Sequence, residues 1–154
     1  MATQILRFIN IVIAALLAGT SFGIWIGFNP LHLSQSTYLE QQQNMILSLK
    51  TLMVSLVVIA TSLTAVSAFF QRKNKAVFIS LIMASICFIV CILVTKFGNV
   101  PIDNFVMTWT AQTMPANWTE FRDKWWEFHI IRTIAELVAL ILVAWSASQS
   151  KALE

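Results

Sequence analysis

Apolar residues in this chain do not come in short alternating runs; they fill four long blocks, residues 5–28, 47–70, 76–95 and 128–148. Each block approaches or exceeds the ~20 residues an α-helix needs to cross a hydrocarbon core of about 30 Å. No charged residue interrupts 51–71 or 76–95. The pattern predicts an all-α fold, a single domain over residues 1–154 in which four transmembrane helices pack as a bundle. The connection 97–124 carries Phe97, Phe105, Trp109, Trp118 and Phe121, too many aromatics for a disordered loop. It is expected to form an aromatic-rich extracytoplasmic cap between the third and fourth helices.

Finer patterning adds detail. Ala15, Gly19, Gly23 and Gly27 recur every fourth residue, a ridge that lets a neighbouring backbone approach closely. Packing inside the bundle is the expected use, with a homo-oligomer contact through Gly19, Gly23 and Gly27 as the alternative. Asn10 should hydrogen-bond a neighbouring helix. Ser48, Ser55 and Ser62, seven residues apart, suggest a small-polar packing seam on the second helix. Lys50 can snorkel or meet a carboxylate from the loops. Asn29-Pro30 should end the first helix, because the residue before proline is biased out of the α region. The polar stretch 35–44 can begin the second helix above the membrane. In the cap, Gly98-Asn99-Val100-Pro101 reads as a turn, 102–113 as a short helix and 114–117 as a break. Asn117 is then an N-cap for a helix starting near Thr119.

Composition agrees with the pattern. Of 154 residues, 58% are hydrophobic and 11% charged, against about 25% charged in a soluble domain. The net charge of +3 is topological information. The loop 71–75 holds Arg72, Lys73 and Lys75 and no acid, whereas 29–46 holds Glu40 and no Lys or Arg. Basic loops stay inside, so the expectation is an integral protein of the cell or inner membrane with both termini cytoplasmic. No separate basic patch points to nucleic acid. The first block is long for a signal h-region and lacks a small-x-small cleavage site, so it reads as an uncleaved helix. Cys87 and Cys91, one helical turn apart, read as small buried residues. The absence of internal repeats argues against a transporter. The terminal pair Leu153-Glu154 carries no weight.

Candidate chemistry is concentrated on the last helix. Trp125, His129, Arg132 and Glu136 are spaced i, i+4, i+7 and i+11, so a helix gathers them within roughly 60° of one another. The stripe runs into the apolar block that follows. Ionisable groups at such depth normally face a protein interior or a wet cavity. With an ordinary pKa of about 6.5, His129 can move a proton at neutral pH. Arg132 and Glu136 are placed for an i, i+4 ion pair. A structural lock, with that pair tying helices together and His129 satisfying interface groups, is the competing account. The chain has two histidines. His32 and His129 lie on the same side and, with a carboxylate, are the metal candidates, although no ligand motif joins them. The sequence requires no cofactor and leaves room for a metal or haem. No Ser-His-Asp order, nucleotide loop or covalent haem motif is present.

Several of these residues form a resemblance. Asn29-Pro30 after a glycine-rich helix, then Gly98-Asn99-Val100-Pro101-Ile102-Asp103-Asn104, then Trp109, Trp118, Arg122, Trp125, His129, Arg132 and Thr133 resemble the anthrone-oxygenase-like family of small four-helix membrane proteins. An N-x-P-x-N type motif is matched by Asn99 and Pro101 and, displaced by one, Asp103-Asn104. An R-x-x-W-x-x-x-H-x-x-R-T element is matched by Arg122, Trp125, His129, Arg132 and Thr133. The resemblance implies an oxygenase acting on an apolar anthrone or phenol at the extracytoplasmic mouth of the bundle, without a dedicated cofactor. It implies catalytic roles for His129 and Arg132, with His129 taking a proton from an activated methylene; Glu136 joins them as a catalytic candidate through its place on the stripe. Arg132, Asn99 or Asn104 would stabilise the enolate-like oxygen, and Asn99, Asn104, Trp109, Trp118, Arg122 and Trp125 would contact the substrate. Two other classes stay open: a non-catalytic membrane binder of a lipid, quinone, haem or metal, and a structural subunit of a membrane assembly.

Overall fold

A computed structural model describes residues 2–149. Its helices are α1 (Ala2–Gly27), α2 (Gln35–Phe70), α3 (Lys75–Val94), α4 (Val100–Val106) and α5 (Trp118–Gln149). A 3₁₀ turn, Pro30–His32, follows α1, and a π-helical turn, Thr95–Asn99, joins α3 to α4. Four helical stretches are long and apolar enough to cross a membrane, the third running unbroken from Lys75 to Val106. The termini Met1 and 150–154, including Leu153-Glu154, lie outside the described residues.

Caps set the helix starts. Ser34 Oγ accepts from the Thr37 amide at the start of α2, and Asn74 Oδ1 accepts from the Val77 amide at the start of α3. Asn29 Oδ1 takes the Leu31 amide, 3.0 Å away, and turns the chain after α1. Helix α2 has 36 residues, a rise of about 54 Å, so its polar first turns stand well clear of a ~30 Å core.

The helices form a ring in which α1 and α3 each pack against both α2 and α5. Polar ties lie on three of its four seams. Thr64 Oγ1 donates to Asn10 Oδ1 (3.0 Å) between α2 and α1, as expected for Asn10. Ser80 Oγ donates to the Leu142 carbonyl (3.0 Å) between α3 and α5, and His129 meets the Ser21 carbonyl (3.2 Å) between α5 and α1. Two apolar clusters fill the ring. One contains Leu17, Val57, Leu81, Phe88 and Val143. The other, at the capped end, contains Tyr38, Ile46, Val106, Trp109, Trp125 and Trp126. Polar residues of α5 lie between them. The outer surface exposes Phe8, Ile26, Phe70, Ile79 and Ile141, as a face turned to acyl chains requires.

Three expectations are corrected. The glycine ridge does not pack inside the bundle: a Cβ added at Gly19, Gly23 or Gly27 meets nothing within 4 Å. The buried face of α1 is instead Asn10, Ala14, Leu17, Ser21 and Ile24. Likewise Ser48, Ser55 and Ser62 face outward, and Ser62 Oγ bonds the Val58 carbonyl of its own helix. The inward row of α2 is Met53, Val57, Ala60, Thr64 and Ser67.

The third correction bears on the site. Residues 98–101 are no turn but part of a continuous rod. Pro101 has no N–H to donate, and in a regular helix its ring would strike the carbonyl four residues back. The π turn relieves this: the Val100 amide reaches back five residues to the Thr95 carbonyl. Gly98 permits it, since a Cβ there would lie 2.7 Å from Phe128 Cγ. The helix stops at Val106, short of residue 113, and there Gln43 Nε2 donates to the Val106 and Trp109 carbonyls at 3.0 Å each. Asn117 does not cap α5 through its oxygen; its amide donates to Glu120 Oε2.

Candidate functional site

The stripe on α5 faces inward. Trp125 is 4% exposed, His129 0%, Arg132 8% and Glu136 0%. Both nitrogens of His129 are engaged. Nε2 is 3.2 Å from the Ser21 carbonyl, which can only accept, so Nε2 carries the proton. Nδ1 then accepts from Arg132 Nε (3.2 Å) and Nη2 (3.0 Å). The ring stacks on Trp125, with centroids 5.2 Å apart and planes 4° apart, and lies 5.4 Å from the Trp126 ring. The imidazole is a fixed, neutral acceptor for one guanidinium.

Arg132 and Glu136, placed for an ion pair on sequence spacing, do not make one. The guanidinium turns back one turn to His129, and the Glu136 carboxyl turns to α3. There Cys91 Sγ donates to Oε1 at 2.9 Å. Glu136 Oε2 and Ser21 Oγ face one another, and neither has a further polar partner.

Trp125 joins α5 to the α3–α4 rod. Its indole Nε1 donates to Asp103 Oδ1 at 2.8 Å, and its carbonyl accepts from Asn99 Nδ2 at 3.0 Å. The π turn aims Asn99 inward, where it is 1% exposed. The cations facing Asp103 are Arg132 and Lys50. Lys50 Nζ also donates to Asn104 Oδ1 at 2.9 Å, an amide where the sequence offered the headgroups or a loop carboxylate.

A cavity of about 50 Å³ lies where these groups meet, lined by Lys50, Met53, Thr95, Asp103, Trp125 and Arg132 among others. A smaller one of about 10 Å³ lies deeper, against Cys91, Thr95, Arg132 and Glu136. His129 lines neither. Arg132, with five N–H donors in a planar fork, is held by His129 on one edge and borders both cavities.

The structure brings together Asn99, Trp125, His129, Arg132 and Glu136, and sets the other sequence candidates apart. Asn104 sits at the rim on Lys50. Trp109 packs against Phe105 and Phe121 in the roof, with ring centroids 5.2 and 5.8 Å away. Trp118 stacks on Tyr38 and lies under the Arg122 guanidinium, which pairs with Asp123. None of Asn104, Trp109, Trp118 and Arg122 lines the central cavity. The two metal candidates are not brought together: His32 is exposed at the end of the 3₁₀ turn and His129 is buried. Among the described residues, no three His, Cys, Asp or Glu side chains converge as a metal-holding group.

Two members were not singled out in the sequence, Asp103 and Cys91. Asp103 had a signal, the motif position before Asn104. Cys91 had none, because its pairing depends on the relative depth of two helices.

Four helices long and apolar enough to cross a membrane surround a polar cluster on α5, the architecture of a small helical membrane protein. Residues 43–142 match the family described as anthrone oxygenase, and the chain belongs to that family. The match takes in the site from Lys50 to Glu136 and leaves out α1. No curated protein and no solved structure matches the chain.

Proposed function

We propose that the protein oxygenates an apolar fused-ring substrate bearing a methylene flanked by aromatic rings and activated by a ketone. The supporting observation is the meeting of Asp103, Arg132 and Trp125 on one cavity. Such a methylene is acidic because its anion spreads onto the carbonyl oxygen. Asp103, fixed by the Trp125 indole, takes the proton. Arg132, fixed by His129, holds the developing oxyanion with its remaining donors. His129 thereby moves from proton acceptor to positioning residue, since both its nitrogens are engaged.

The electron-rich anion transfers one electron to O₂, and the resulting radical pair forms a carbon–oxygen bond. The peroxide takes a proton back from Asp103, and loss of water leaves a carbonyl. In sum, CH₂ plus O₂ gives C=O plus H₂O, with all four electrons coming from the substrate. The basic 71–75 loop supports a cytoplasmic location for both termini, which sets the site in the outer half of the bilayer.

Oxygen uptake by proteoliposomes supplied with anthrone tests the proposal. Asp103→Asn should lower uptake by about 10² or more. Wild-type uptake by a folded Asp103→Asn protein would refute it.

A further inference from the structure

The central cavity, at about 50 Å³, is far below the 300–1,000 Å³ of a typical ligand site. A fused-ring substrate therefore needs one wall to move. The walls differ in how they are tied. The α3–α5, α1–α2 and α1–α5 seams carry the polar ties described above. The top is closed between α2 and α4 by Gln43 on two carbonyls and by Lys50 on Asn104. Among the described residues, the α2–α3 seam has no side-chain hydrogen bond.

That seam is also where a second groove of about 240 Å³ adjoins the cavity, lined by apolar side chains together with Thr95 and Lys96. The two share Val54, Thr95 and Val100. The groove continues outward over Val58 and Ile92, with Val54 43% and Val58 52% exposed on the bundle's outer face. Thr95 opens the π turn, the one place in the rod where the regular helical ladder is interrupted.

Resting on the function proposed above, we infer that the substrate reaches the site sideways from the bilayer, through the α2–α3 seam, with Val54, Thr95 and Val100 as the gate. The occupant is a flat fused-ring ketone. Its activated methylene and oxygen point to Asp103 and Arg132, and its distal ring stays in the groove against Val58 and Ile92. Apolar substituents on that distal ring are tolerated.

The test uses the reconstituted full chain and follows quenching of its tryptophan fluorescence by anthraquinone, the oxidised product, in stopped flow. Val58→Phe with Ile92→Phe fills the groove and should slow association by about tenfold or more, and should weaken equilibrium affinity too, because the distal ring rests there. Val58→Ala with Ile92→Ala should speed association, which guards against a misfolded bulky variant. Gln43→Ala, which unties the top, should leave the rate unchanged. Slowed association in the filled variant supports the route even where oxygen uptake is absent, so the route and the chemistry fail separately. Unchanged association in the filled variant, acceleration by Gln43→Ala, or no quenching in the parent protein would each overturn the inference.

Discussion

Gly98→Ala is a small change with a calculable consequence. An added Cβ would lie 2.7, 2.8 and 2.9 Å from Cγ, Cδ2 and Cδ1 of Phe128, about 0.8 Å inside the ~3.5 Å at which carbon atoms settle. Cγ is the ring atom nearest the backbone, so no free end can swing away. The whole ring must turn, or α5 must retreat from the π turn. Overpacking of this kind costs typically about 1–3 kcal/mol. Replacing glycine within a helix returns up to ~1 kcal/mol through propensity. The net loss should be about 1–2 kcal/mol, lowering the unfolding midpoint by roughly 2–8 °C at about 2–4 °C per kcal/mol. Thermal unfolding in detergent micelles reads this directly. With Phe128→Ala in the background the obstacle is gone, and Gly98→Ala should become neutral or stabilising, a coupling of at least ~1 kcal/mol. Equal destabilisation by Gly98→Ala in both backgrounds would refute the account.

Other outcomes follow from the same geometry. His129→Gln retains one acceptor for Arg132 and one donor for the Ser21 carbonyl, so it should keep much of the oxygen uptake that His129→Leu abolishes; equal loss in both would return the proton-accepting role to His129. Trp125→Phe keeps the stack on His129 but strips Asp103 of its indole donor, and should lower stability by ~1–3 kcal/mol in the same unfolding assay. Cys91→Ser preserves a donor for Glu136 Oε1 and should unfold near the parent midpoint, whereas Cys91→Val leaves Oε1 without its donor and should cost about 1–3 kcal/mol. Gly23→Ala meets open space and should not lower the midpoint; a marked drop, together with loss of chemical cross-linking between copies, would indicate that a second copy packs on the ridge.

The four spans and the inward stripe on α5 were legible because both are properties of one helix at a time. Apolar length gives a span, and 100° per residue gathers Trp125, His129, Arg132 and Glu136. What each stripe residue touches was not legible. Arg132 chooses His129 over Glu136, and Glu136 chooses Cys91, because of where α1 and α3 sit beside α5. The directions of the glycine ridge and the serine row were hidden for another reason. Lipid and neighbouring helix offer similar apolar contact, so a small-residue face fits either. The inward setting of Asp103 and Asn99 on one helical rod was obscured by Gly98 and Pro101, which usually punctuate a helix but here accommodate a widened turn inside one.

The double attachment of Trp125 has a further effect on assembly. In hydrocarbon, two greasy rods can slide past each other by one helical turn, about 5.4 Å, and find nearly equivalent contacts. The indole and the carbonyl of one residue reach two different partners on the adjoining rod, one turn apart. No sliding or rolling of the last span satisfies both except the observed setting. The pair works as a vernier, fixing axial position and rotation together where greasy packing alone would leave them loose.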